Sequence, residues 1–147
     1  VQSKVLTGNV TTPMLAVKKA LKALGANKIG YIAPYISGIA HKMCSHLNQA
    51  GFDVVKAATF SEDMDSVVGV ITPKSIFNAI ETIIDQSDNL DAIFISCTSL
   101  KCASIISVAE EKFGLPILSS NSVLAWDMVK LSKATVSEQG KGKLFNL

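Results

Sequence analysis

Short apolar runs alternating with segments of helical periodicity constrain this chain more than any other feature of its sequence. The clearest run is Asp91 to Cys97, whose interior Ala92-Ile93-Phe94-Ile95 carries no polar side chain. A strand apolar on both faces must be covered on both, which is the habit of parallel sheets flanked by helices. Lys28 to Ala33, closed by Pro34, reads as a second strand, and Phe52 to Ala58 and Leu115 to Leu118 as two more. A helix is predicted over about 13 to 24: Met14, Val17, Leu21 and Leu24 share a face, Thr12 caps, Pro13 takes the first position and Gly25 stops it. The next helix carries Ile36, Ile39, Ala40, Met43, Leu47 and Ala50 to a stop at Gly51, and another opens at Thr72-Pro73 with Ile76, Ile80, Ile83 and Ile84 on one side. Two more are predicted over Ala103 to Lys112 and Ser122 to Leu131. Alternation at these lengths predicts an α/β fold built on a doubly wound, four-stranded parallel sheet with right-handed crossovers.

The 147 residues suffice for one domain with a real core. Apolar residues at 48% and charged residues at 18% exclude a disordered tail. The longest apolar runs fall far short of the ~20 residues that cross a bilayer, and the N-terminus does not read as a signal peptide, so no membrane association is expected. Fourteen basic against 12 acidic residues, scattered rather than striped, argue against nucleic acid as a partner. Three cysteines without a C-x-x-C pair suit a reducing cytoplasm better than a disulfide framework or structural zinc. The first nine residues and the tail from Lys133 to Leu147 read as irregular. Yet the tail ends in Gly142-Lys143-Leu144-Phe145, whose apolar pair asks for a surface, either on this domain or on a missing partner.

In open parallel sheets a ligand lies beyond the carboxyl ends of the strands. That rule selects Pro34-Tyr35, Ser96-Cys97-Thr98-Ser99 and Ser119-Ser120-Asn121, which are rich in hydroxyl, thiol and amide groups on otherwise apolar strands. Helices expected to begin near Lys101 and Asn121 would aim free N–H groups and positive dipole ends at an anion, in a chain with no arginine. Cys97, between a strand end and such a helix, is placed as an active thiolate would be, though a free cysteine also packs well in a core. Cys102, in line with Ile105, Ile106 and Ala109, and Cys44, beside the apolar face of its helix, read as packing residues. His41 and His46, five apart, do not make a metal pair, and Glu62, Asp63 and Asp65 read as a solvated loop, so no metal is expected. Tyr35 fits equally a substrate donor or a half-buried packing residue, and Trp126 fits the core of its helix.

These same residues carry a resemblance. Val10-Thr11-Thr12-Pro13, Ile32-Ala33-Pro34-Tyr35, Ile95-Ser96-Cys97-Thr98-Ser99-Leu100, and Gly114 to Asn121 followed by Trp126 resemble, in order, the aspartate/glutamate racemase superfamily. Within it they are closest in pattern to the branch of maleate cis-trans isomerases, arylmalonate decarboxylases and ectoine-utilisation proteins. The resemblance implies a flavodoxin-like lobe, one of two that face each other across a substrate's α-carbon, each contributing a cysteine or its replacement. It implies that Cys97 is the second-lobe acid/base and that Tyr35 touches a substrate carboxylate, with Thr98, Ser99, Ser120 and Asn121 helping to hold the carboxylate oxygens. No cofactor is implied, and the substrate would be a small carboxylic or dicarboxylic acid. Asp65 falls where the maleate isomerases tend to carry asparagine. A first-lobe cysteine is lacking, since Cys44 and Cys102 are both predicted on helices. The expectation is therefore a cofactor-independent isomerase, racemase or decarboxylase, read here as the C-terminal lobe of a longer protein. Its orphan tail is explained by the missing N-terminal lobe, or by self-association into a homo-oligomer. The competing expectation is a non-catalytic anion-binding or interaction module, or an inactive isolated half of such an enzyme.

Overall fold

A computed structural model describes residues 9–134 and 142–147. The expected irregular character of residues 1–8 and 135–141 lies outside the described residues. In chain order the elements are α1 (Pro13–Leu24), β1 (Lys28–Tyr35), α2 (Ser37–Gln49), β2 (Asp53–Glu62), α3 (Asp65–Val68), α4 (Pro73–Asp85), β3 (Ala92–Ile95), α5 (Ile106–Phe113), β4 (Ile117–Ser119) and α6 (Ser120–Ser132), followed by a 3-10 turn at Lys143–Asn146. The four strands form one sheet in the order β2-β1-β3-β4. Every pairing is parallel.

The local signals act as their chemistry requires. Thr12 and Thr72 both lie in extended backbone and accept a hydrogen bond from the third residue beyond, with proline next in line. Gly25 ends α1 at φ 67°, a left-handed conformation that costs a residue without Cβ nothing. Gly30 is required for a different reason: a Cβ there would stand 2.7 Å from Cγ2 of Ile83, so only glycine lets α4 lie against β1.

Two apolar clusters cover the two faces of the sheet. One joins α1, α2 and α6 to Tyr31, Ala33, Phe94 and Leu118, and the other joins α4 and α5 to Ile32, Ile93, Ile95 and Ile117. Alternate strand residues therefore point to opposite faces, as the pleat demands. Trp126, Cys44 and Cys102 all pack in or against these clusters, as expected.

Three sequence expectations change. β2 runs on to Glu62 instead of ending at Ala58, because its pairing with β1 resumes past an irregularity between Ala33 and Tyr35 that accommodates Pro34. The helix expected from Ala103 begins only at Ile106, and residues 98–105 form turns instead. The tail, finally, is not an orphan. Leu144 is 2% exposed within the α1/α2/α6 cluster, and Phe145 packs against the same cluster.

The anchor of that tail is Glu110, an acid buried to 6% exposure on α5. Its carboxylate accepts the backbone N–H of Ile117 at 2.9 Å and that of Lys143 at 2.7 Å, joining β4 and the final turn through one side chain. On the opposite face Asp127, 2% exposed, receives Lys19 Nζ at 2.8 Å and the hydroxyl of Thr11, fastening the start of α1 to α6. Substituting Glu110→Ala leaves a buried N–H at Ile117 without an acceptor, which costs about 1–3 kcal/mol. Thermal unfolding of the variant is expected about 4–8 °C lower. An unchanged midpoint would show that Glu110 anchors nothing.

Candidate active site

Between β1 and β3 the chain reverses the direction in which strands are added, the point where open α/β sheets leave a crevice. Tyr35 ends β1, and β3 ends at Ile95, so Ser96 and Cys97 step off the sheet directly above that crevice. A cavity of about 430 Å³ opens there. Its wall is built from Tyr35, from Ser96 through Ser99, from Ser120, and from the start of α1 at Thr12, Pro13 and Met14, with Met43, Phe94 and Asp65 completing it.

Cys97 has the most unusual backbone of these residues. Its φ of 129° lies in the range that side chains with a Cβ rarely adopt. Such strain, of order 1–3 kcal/mol, persists only where the surroundings over-determine it. Here they do. The Cys97 N–H donates to Oγ of Ser120 at 3.1 Å, and the Ser99 N–H donates to Cys97 Sγ at 3.4 Å. The thiol is 8% exposed, yet it lines the cavity.

The expected dipole from a helix starting near Lys101 is absent, because α5 begins at Ile106. Its place is taken by α6 and α1. Ser119 and Ser122 form a reciprocal cap at the start of α6, so Ser120 is the first residue of a well-ordered helix as well as the acceptor for Cys97. Thr12, the N-cap of α1, lines the same cavity.

Tyr35 is half-buried with its carbonyl held by the hydroxyl of Thr59. Burial raises its phenol above the usual range, and the neighbouring Cys97 thiol and Asp65 carboxylate raise it further, against a lowering by Ser96. The phenol therefore stays a donor. Thr98 and Ser99 are exposed at the rim. Asn121 is not in this cavity. Its Nδ2 donates to the Thr98 carbonyl at 2.9 Å, and it lines a second, more apolar cavity of about 580 Å³ with Leu100, Cys102, Ile106 and Phe145. It holds the loop that the two cavities share.

Thr12, Ser96 and Asp65 also reach the site. Ser96 belongs to the stretch the strand-end rule selects, and Thr12 could have been found by extending that rule to helix starts, whereas Asp65 is brought in only by the long β2. Cys44 and Cys102 do not share the cavity with Cys97. Burial, followed by the charge of Cys97, pushes the Cys102 thiol up to about 12. His41 and His46 are exposed on α2, His46 with Lys18 Nζ 2.8 Å away. Among the described residues, no three of His, Cys, Asp or Glu gather as ligands for a metal.

The family model for arylmalonate decarboxylase matches residues 5–145. The chain belongs to this family. It is 27% identical to maleate isomerase of Nocardia farcinica over 88% of its own length and 51% of that protein. It is 22% identical to arylmalonate decarboxylase of Bordetella bronchiseptica over 92% and 57%. The fold superposes with a TM-score of 0.81 and 22% identity on a cysteine-to-serine mutant of Nocardia farcinica maleate cis-trans isomerase with a covalently bound succinylcysteine intermediate, covering 90% of this chain and 54% of that one. The chain thus spans a little over half the length of these relatives. Among the described residues, no helix is long and apolar enough to cross a membrane.

The strain at Cys97 makes a prediction of inverted sign. In extended backbone alanine is normally more stable than glycine by about 0.5–1 kcal/mol. At position 97 the Cys97→Gly variant is expected to be the more stable of the two by about 1 kcal/mol. Denaturant midpoints of Cys97→Gly and Cys97→Ala decide it, and the ordinary order would mean that the backbone is not strained.

Proposed function

We propose that this chain is the C-terminal lobe of a cofactor-independent isomerase, racemase or decarboxylase in which Cys97 exchanges a proton at the carbon next to a carboxylate of a small organic acid. The observation that carries this reading is the sulfur itself, strained at a strand end, lining a cavity and receiving a backbone N–H. A proton α to a carboxylate is very weakly acidic. Its removal needs a base in contact with the carbon and donors around the oxygens that gather the charge. Ser120 at the start of α6, Thr12 at the start of α1 and the Tyr35 phenol supply such donors without a cationic side chain, while Thr98 and Ser99 border the opening. Proton delivery by the thiol to an enediolate serves isomerisation, racemisation and decarboxylation alike.

Asp65 refines the orientation. It is the one formally charged side chain lining the cavity among the described residues, so a substrate carboxylate is favoured at the α6 and α1 end and disfavoured beside Asp65. The relative bearing a succinylcysteine, in which another cysteine is serine, has at least two cysteines, and the family match supports a second lobe supplying the opposite side of the site. A second copy of this chain is the other way to close it. The three free thiols and their packing support a reducing, cytoplasmic setting.

The test is exchange of α-protons of small mono- and dicarboxylic acids in heavy water, using the complete protein. Exchange is expected to fall by about 100-fold or more in Cys97→Ser. Retention of full exchange would end the proposal, and binding of the acids with no exchange in the wild type would favour an anion-binding module. Replacing Asp65→Asn is expected to tighten binding of dicarboxylates about twofold to tenfold while leaving monocarboxylates nearly unchanged, as calorimetric titration would read.

A further inference from the structure

A hydroxyl behind the cavity wall joins two of the side chains that give the cavity its polarity. Pro34 has no N–H to offer a sheet ladder, and the register between β1 and β2 slips there. Ala33 pairs with Thr59 but Tyr35 with Glu62, so β2 advances by one residue more than β1. Thr59 opens that bulge. Its hydroxyl donates to the carbonyl of Tyr35, and its Oγ1 accepts the N–H of Ser61 at 3.0 Å. One side chain therefore bonds to both strands where their ladder is irregular.

Both bonds lead to the cavity. Tyr35 carries the phenol that lines it. Ser61 stands at φ 56°, in the left-handed region that a residue with a Cβ seldom enters, and the bond to Thr59 holds it there. Beyond Ser61 the chain leaves β2 for α3, whose first residue is Asp65. The other end of α3 is fixed as well, because Val68 is 4% exposed in the apolar cluster against which Phe60 packs. Between these two anchors Asp65 reaches the cavity wall. Bulges beside a site re-aim side chains in this way. Valine would keep the branched shape that suits a strand, so the particular contribution of threonine is the pair of bonds made by its oxygen.

We propose that Thr59 is a positioning residue for specificity: by fixing the bulge it holds Asp65 at the cavity beside Tyr35, and so sets how strongly the site rejects a second carboxylate. Thr59 itself lines a groove along α2 instead of this cavity. It acts on a ligand only through the residues it places. This inference rests on the reading of the cavity as a site for small carboxylic acids, and it names a residue that the family resemblance did not single out.

The test is calorimetric titration of the complete protein with butyrate and with succinate, acids of equal chain length that differ by one carboxylate. Asp65→Asn is expected to raise the ratio of succinate to butyrate affinity about twofold to tenfold, and Thr59→Val about twofold to fivefold, because the carboxylate is then present but no longer held. The double variant Thr59→Val/Asp65→Asn is expected to match Asp65→Asn alone, since Thr59 has no other route to the ratio. Thr59→Ser, which keeps the hydroxyl, should retain the wild-type ratio. Thr59→Ala carries the same expectation as Thr59→Val and replaces it where valine prevents folding. A merely structural part for Thr59 would weaken both acids alike. That result, an unchanged ratio in either single variant, or effects that multiply in the double variant each overturn the inference. Failure of the underlying reading looks different: a wild-type protein that binds neither acid ends both.

Discussion

The turn in which β3 leaves the sheet, Ser96-Cys97, is the constraint on which the rest of the site depends. A residue with a Cβ at φ 129° does not hold that shape alone. It is held from one side by Ser120, whose hydroxyl takes the Cys97 N–H, and from the other by the loop that returns the Ser99 N–H to the sulfur. The same loop is pinned by Asn121 through the Thr98 carbonyl. Two consecutive residues beyond the strand end, Cys97 and Thr98, are therefore held by the first two residues of α6. This makes the capping of α6 by Ser119 and Ser122 part of the site, because a frayed helix start would release Cys97 into an ordinary extended backbone.

The architecture was legible because it depends on patterns that burial enforces. Strands apolar on both faces, threonine followed by proline at two helix starts, and glycine after α1 each express one local cause, and the strand-end rule then brought Tyr35, Cys97, Thr98, Ser99 and Ser120 to one cavity. What was not legible depends on partners distant in sequence. Ala103 to Ile105 follow the apolar spacing of the expected helix, but the helix begins only at Ile106, after a loop whose start is held by Cys97 and Asn121. Glu110 looked like any surface acid on a helix, and only the folded chain places two N–H groups against it. The docking of Leu144 follows from that carboxylate, so the tail could not be assigned to this domain from its own residues.

The two faces of the sheet share the work unequally. The face with α4 and α5 is largely apolar, with the sulfurs of Cys97 and Cys102 in it and Glu110 as its one buried acid among the described residues. The face with α1, α2 and α6 carries more polar groups, among them Tyr31, Tyr35 and the Asp127–Lys19 pair. Asp127 ties α1 to α6, the two helices whose starts border the cavity, through the half-exposed Lys19 and the hydroxyl of Thr11. Asp127 is the buried member of that pair, so losing both its partners would leave an uncompensated buried carboxylate between the two helices.

Charge is arranged along the cavity rather than concentrated in it. Helix starts at α6 and α1 favour an anion in the cavity, and Asp65, which follows the extension of β2, disfavours one beside itself. Specificity for the end of the ligand that reacts therefore comes from fixed dipoles and one repelling carboxylate. A lysine at the same place would bind the anion more tightly and would orient it less, since a point charge attracts from every direction while a helix start offers its N–H groups along one axis.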